Sequence, residues 1–486
     1  VFGSVPLRRI DTAWTQDDPG SQTLTNPRIA SETTTLEDGV TQSKVEGDAD
    51  ANGNVTQVRE YAYGSLATPY RTTTTSYLTG SNYTSRNILN RPTQVVVCAG
   101  PSGCSSPAST TTISYDSAWV AAVPGITQHD PAYSASFFYR GNPSGVNANG
   151  LTVSHYYDEG GNLLWTSDAL GHTVSSASYL ASTGQVSSAS SAGSTTSFSW
   201  NADTTLYSAS GSNSDTVSFA YASYRPTYVT YPNGTYTRYS YSDSTNPITQ
   251  TETSYLGRVT TTTLDGFGRV IKKAVKEKTS PETWIYTETQ YSACSCSSTG
   301  KAVKVSRPYR TGESPVWTET KFDALGRPAE QILPDGNRTT YSYSVDSSLQ
   351  PPASSLLVIP PGGTGKRKRY LHDAFGRLVR VEEPDSAGNL VETARYTYDV
   401  MGRLTTVQMG KRADGSFKQT RSFNYNTKGQ LTSATNPENG TVSYTYSSDG
   451  LLQSKTDAKN QTLWYFYDGY HRLLRIESPQ GTTKSS

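Results

Sequence analysis

Residues 396–404 read Tyr-Thr-Tyr-Asp-Val-Met-Gly-Arg-Leu, and the chain keeps returning to that phrase. Two rings flank one residue at Tyr396 and Tyr398, Phe423 and Tyr425, Tyr444 and Tyr446, and Tyr465 and Tyr467. From 423 to 444 and from 444 to 465 the step is 21 residues. Side chains two apart in a strand share a face, so each pair predicts two rings on one side of a sheet. Three pairs continue through a turn to an apolar residue: Tyr398-Asp399 to Leu404, Tyr425-Asn426 to Leu431, and Tyr467-Asp468 to Leu473. Asp or Asn opens a tight reversal, and Gly402, Gly429 and Gly469 supply the backbone freedom it needs. The unit is a β-hairpin with an aromatic face, repeated.

The bulk composition agrees. Among 486 residues, Lys and Arg number 42 against 41 Asp and Glu, a net charge of +1. No global field therefore draws the chain to nucleic acid or an anionic membrane. No apolar run is long enough to span a bilayer as a helix. Apolar residues make up only 34%, yet 34 Tyr and many β-branched residues argue for extended β structure rather than disorder. Such a composition suits a secreted or surface protein. The start, Val1-Phe2-Gly3, reads as a cut inside a longer chain.

Along the chain the phrase is degenerate over residues 1–150 and clear over 151–486. The reading is one continuous repeat array without a true linker. A second turn alternates with the first, at Pro232-Asn233-Gly234, Pro334-Asp335-Gly336 and Pro437-Glu438-Asn439-Gly440. Each Pro precedes the next aromatic pair by seven residues, room for a turn and the start of a short strand. Residues 141–150, and 351–365 with their Pro-Pro steps, are expected to be surface loops. No stretch shows convincing helical periodicity.

The combination resembles the YD repeat of the RHS family, which includes bacterial RHS proteins, Tc toxin shell components and teneurin barrels. It rests on Tyr157, Asp158 and Gly161; Phe322, Asp323, Gly326 and Arg327; and Asp373, Gly376 and Arg377. It rests equally on Tyr398, Asp399, Gly402 and Arg403; Tyr425 and Gly429; Tyr446; and Tyr467 and Asp468. Asn162 stands where Arg is usual, and His471 where Gly is usual. The resemblance implies an all-β array of YD-repeat hairpins in a spiralling sheet: a hollow shell, part-shell or open solenoid. It implies a non-enzymatic extracellular scaffold of bacterial type that encloses or displays cargo. Partners would be further segments of the same polypeptide, an enclosed C-terminal toxin, or copies of itself. A surface adhesion or glycan-binding module using exposed Tyr and Trp, and a self-assembling extracellular fibre subunit, are the alternatives. A self-cleavage boundary motif is not legible after residue 470, so self-cleavage is not among the expectations.

Catalytic, cofactor and metal constellations are not legible. His129, His155, His172, His372 and His471 lack partners at metal-ligand spacing, so structural roles are expected for them. An Asp that recurs at every turn reads as a turn hydrogen-bonder, and the Arg that follows as a local partner. Phe and Trp are expected to replace Tyr in the pairs, since ring packing is what the position requires. Cys98 and Cys104 flank a flexible loop short enough for a disulfide, with a metal site or free thiols as the alternatives. Cys294 and Cys296 would face the same way in a strand.

Overall fold

The computed structural model describes residues 8–18, 20–127, 129–243, 247–292, 301–479 and 481–484; Cys294 and Cys296 lie outside them. Its residues form two compact units. The larger comprises Val1–Gly193, Tyr343–Leu356 and Lys368–Ser486, the smaller Ser194–Ser342 and Leu357–Arg367.

The protein is all-β, and strands pair antiparallel with neighbours in sequence. In the larger unit Leu390–Tyr398 pairs with Leu404–Lys411, with Tyr396 opposite Val407 and Tyr398 opposite Leu404. The hairpins Phe417–Tyr425 with Leu431–Asn436, Gly440–Tyr446 with Leu452–Thr456, and Thr462–Tyr467 with Leu473–Ser478 follow. The smaller unit repeats the scheme: Thr216–Ala222 with Arg225–Thr230, then Tyr236–Ser242 with Ile248–Ser254. Within each unit successive hairpins pair edge to edge.

The rings of the Tyr396, Phe423 and Tyr444 pairs are half-buried, while Thr397, Asn424 and Thr445 between them are exposed. A ladder register shift falls beside the second ring of each pair, between Thr397 and Tyr398, Asn424 and Tyr425, Thr445 and Tyr446, and Phe466 and Tyr467. That bulge twists each strand just as it enters its turn.

Few side chains are wholly enclosed; Leu36, Leu371, Ala353 and Thr72 are at most 1% exposed. One hairpin cannot bury enough surface to stand alone, so stability accumulates from neighbour to neighbour.

Two expected loops are strands. Pro143–Ala148, inside 141–150, pairs with Ser109–Tyr115 on one side and Leu151–Tyr157 on the other. Pairing on both sides overrides the poor strand propensity of Pro, Ser, Gly and Asn. Ala353–Ile359, inside 351–365, is a strand whose first residue is buried. There the flanking prolines bound a Leu-Leu-Val-Ile run instead of breaking it. Helix is confined to the single turn Ser81–Thr84 and two short 3-10 segments among the described residues.

Candidate functional site

The recurring chemistry sits in the turn. At Asp373 the main-chain N–H donates to the Arg377 carbonyl (3.0 Å), and Gly376 N–H donates back to the Asp373 carbonyl (3.1 Å). Gly376 takes φ +75°, the left-handed value that closes such a turn. The Asp373 Oδ1 accepts from Phe375 N and Arg377 N, and its Oδ2 from Arg377 Nε at 2.7 Å. Asp399 with Arg403 and Asp323 with Arg327 repeat the arrangement, with Gly402 at φ +82° and Gly326 at +76°. Asp468 with Arg472 does the same. Where Arg is missing, amides take over: Asp158 accepts from Asn162 N and Nδ2 beside Gly161, and Asn426 pairs with Gln430 beside Gly429. Burial alone would raise the Asp323 carboxyl, but hydrogen bonds from Arg327 outweigh it and hold it below the usual range.

The same Arg reaches the next repeat. The Arg377 guanidinium lies 5.0 Å from the Tyr398 ring centre, and Arg403 5.0 Å from that of Tyr425. The second Tyr of a pair then donates its hydroxyl to the carbonyl at the apolar position of the preceding repeat. Tyr398 does so to Leu378 (2.8 Å), Tyr425 to Leu404 (3.0 Å), Tyr446 to Leu431 (2.8 Å) and Tyr179 to Leu163 (3.0 Å). Tyr157 does so to Pro143 (3.2 Å). Burial raises the phenols of Tyr398, Tyr446 and Tyr467. Ring area is therefore not all the position uses: Phe322 keeps the packing and forgoes the bond. Turn, guanidinium, ring and carbonyl make one clasp, complete at Asp373–Arg377–Tyr398 and at Asp399–Arg403–Tyr425.

In the larger unit the clasp also joins parts of the chain far apart in sequence. Tyr70 donates its hydroxyl to the Asp399 carbonyl (3.0 Å) across 329 positions, and its ring lies 4.7 Å from that of Phe375. Arg377 Nη1 donates to Tyr70 Oη (3.3 Å) and the Asp399 carbonyl (3.2 Å), and Arg71 to the Val400 carbonyl (3.4 Å).

A different cluster gathers at the turns of Asp168, Asp449 and Asp468. His172 Nδ1 and His471 Nε2 both contact Asp168 Oδ2, at 3.0 and 2.7 Å, and His471 Nε2 lies 3.7 Å from Asp449 Oδ2. Burial would raise the Asp168 carboxyl; hydrogen bonds from His471, from the His172 backbone and ring, and from Leu170 N outweigh it and set it at about 2. Sequence spacing hides this grouping, because Asp168 and His471 are 303 positions apart. The one local signal is His471 in place of Gly. His471, not Gly469, carries the positive φ of that turn, at +63°.

Cys98 and Cys104 are joined by a disulfide with Cα atoms 5.9 Å apart. Lys368 pairs with Glu383, and Arg369 with Glu382 and Asp346.

The fold aligns with a crystal structure of TcdB2-TccC3-TEV at a TM-score of 0.59 and 10% identity, covering 99% of this chain and 34% of that one. It also aligns with TcdB2-TccC3 without its hypervariable C-terminal region, at 0.53 and 11%, with 99% and 34% covered. Residues 363–485 match the family described as the teneurin YD-shell. The chain's last quarter is thus similar to the YD-shell family, and its fold to that of the Tc neighbours. The chain spans about a third of the length of those structural neighbours. A curated relative, the double-stranded DNA deaminase toxin A of Burkholderia cenocepacia (strain H111), is 29% identical over 134 residues, 25% of this chain and 8% of that protein.

Proposed function

We propose that this chain is a non-enzymatic extracellular scaffold, a segment of YD-repeat β-shell that encloses or displays cargo. The observation that carries the reading is the clasp. Asp373 and Arg377 lock their own turn, Arg377 caps the next ring, Tyr398, and in the larger unit Tyr70 bonds a turn 329 positions away. Such a device spends its polar residues on wall-building. The Cys98–Cys104 disulfide suits an oxidising compartment. A toxin relative and Tc-type neighbours favour toxin-associated cargo. On this reading, residues 1–150 are a degenerate part of the same array as 151–486, and further segments of the polypeptide complete the wall.

The test uses the natural full-length polypeptide. Electron microscopy is expected to show a walled particle, and limited proteolysis an internal segment that survives until the wall is opened by denaturant. Immediate digestion of every segment outside the array would defeat the proposal.

Exposed rings favour a second reading, recognition of a cell-surface glycan or protein. Trp14 is 66% exposed, Trp119 58% and Tyr224 73%. Aromatic faces suit sugar rings, and a glycan array without hits ends that reading. The strand Arg9–Thr15 is exposed at every position but the last, which favours association with further copies. Small monodisperse particles on size exclusion would count against a fibre.

A further inference from the structure

We infer that Asp168, His172, Asp449 and His471 form a binding site for one divalent transition-metal cation of the zinc class. Their ligand atoms all lie within 4.8 Å of one another. A tetrahedral zinc site with bonds of about 2.0–2.2 Å has ligand atoms about 3.3–3.6 Å apart. The contacts of 2.7, 3.0 and 3.7 Å among Asp168, His172, His471 and Asp449 bracket that spacing. Two imidazole nitrogens with two carboxylate oxygens suit zinc and its neighbours better than calcium or magnesium, which prefer oxygen alone.

The carboxylates are built in. Side-chain exposure is 7% for Asp168 and 6% for Asp449. Asp168 Oδ1 is fixed by N–H groups of Leu170 and His172, both at 2.8 Å, which leaves Oδ2 aimed at the imidazoles. Asp449 Oδ1 accepts from the Ser447 hydroxyl, while its Oδ2 points at His471 from beyond hydrogen-bond length. These are the outer contacts that orient metal ligands. Two nearly buried carboxylates bring two negative charges together, and Arg472 beside them is engaged by Asp468. A divalent cation balances that charge. To ligate, each imidazole carries its proton on the other ring nitrogen.

His471 departs from the glycine of the neighbouring repeats. Gly376, Gly402 and Gly429 hold the corresponding place in other turns at φ +75° to +84°, where an L side chain is strained. Here the strained residue is an imidazole, and its Nε2 lies in the cluster. A bound cation would clip the Asp168 turn to turns some 300 positions later, reinforcing the larger unit.

The chain is stripped with EDTA and titrated with zinc sulfate, in a Cys294→Ser, Cys296→Ser background that removes competing thiols. Calorimetry is expected to give about one zinc per chain, with a melting temperature that climbs with zinc concentration. His471→Gly restores the usual turn residue and is expected to fold while losing the site. Asp449→Asn, nearly isosteric, is expected to weaken zinc binding at least tenfold and tests the same point should the first variant misfold. Undiminished zinc stoichiometry in both variants would overturn the assignment. So would a wild-type melting temperature that follows pH but ignores zinc, which would reduce the cluster to a hydrogen-bonded latch.

Discussion

The Tyr398 hydroxyl donates to the Leu378 carbonyl at 2.8 Å, so a side chain at the end of one repeat satisfies the backbone at the start of the one before. The bond recurs at Tyr425, Tyr446 and Tyr179, which makes it a stitch along the array. Tyr398→Phe keeps the ring under Arg377 and removes the stitch alone. A loss of about 0.5–1.5 kcal/mol is expected in urea unfolding, the net worth of one such bond. A change of 3 kcal/mol would mean the ring had moved as well.

Gly402 and Gly440 separate conformational strain from collision. A Cβ on Gly402 meets nothing within 4 Å, so Gly402→Ala costs only its φ of +82°, about 1–2 kcal/mol. On Gly440, at φ +72°, the Cβ would lie 2.6 Å from that of Ala458. Gly440→Ala is therefore expected to destabilise more, measured in the same unfolding assay.

Arg377 links its own turn to Tyr398 and to Tyr70. Replacing it with Met leaves Asp373 without its cation, with an expected loss of about 1.5–3 kcal/mol. The distinctive readout is distant: hydrogen exchange at Arg71 and Thr72 is expected to accelerate. Arg377→Lys is expected not to rescue, since an ammonium cannot both pair with Asp373 and lie flat on a ring. Unchanged exchange there would show the long-range clasp to be idle.

Acid should loosen the first strands through Glu46. Burial would raise this carboxyl, but hydrogen bonds from Lys44, Tyr61 and Arg59 and the Lys44 charge hold it at about 2, below its ordinary 4.5. A depressed carboxyl stabilises the fold above its unfolded pKa, and that contribution disappears as pH falls from about 4.5 to about 2. Glu46→Gln is expected to flatten the dependence of melting temperature on pH in that window and to leave its shape near pH 7 unchanged.

Cys104→Ser opens the loop closed at Cys98. Loop-entropy arithmetic for so short a ring gives about 2 kcal/mol, visible as a lower melting temperature that reducing agent reproduces in the wild type.

Much of this fold could be read before the structure because the decisive interactions are local. Asp399, Gly402 and Arg403 lie within five positions, so the turn and its ion pair show as a motif. Alternation around Thr397 likewise gives the strand face. What escaped reading depends on backbone or on distance. Pro143–Ala148 is a strand because it is paired on both sides, which its own residues do not announce. The Tyr hydroxyl bonds go to carbonyls, which no residue type encodes. His471 looked like an isolated histidine because the turn it meets, Asp168 to His172, lies 303 positions earlier.

Tyr70 must wait for Asp399. A ribosome adding about 5–20 residues per second needs on the order of tens of seconds to make the 329 positions between them. Throughout that interval the surface around Tyr70 and Arg71 is synthesised but uncovered, a standing invitation to wrong neighbours. Completion of the Tyr70 contact is thus paced by translation, and a holding chaperone has most to offer before residue 403 emerges.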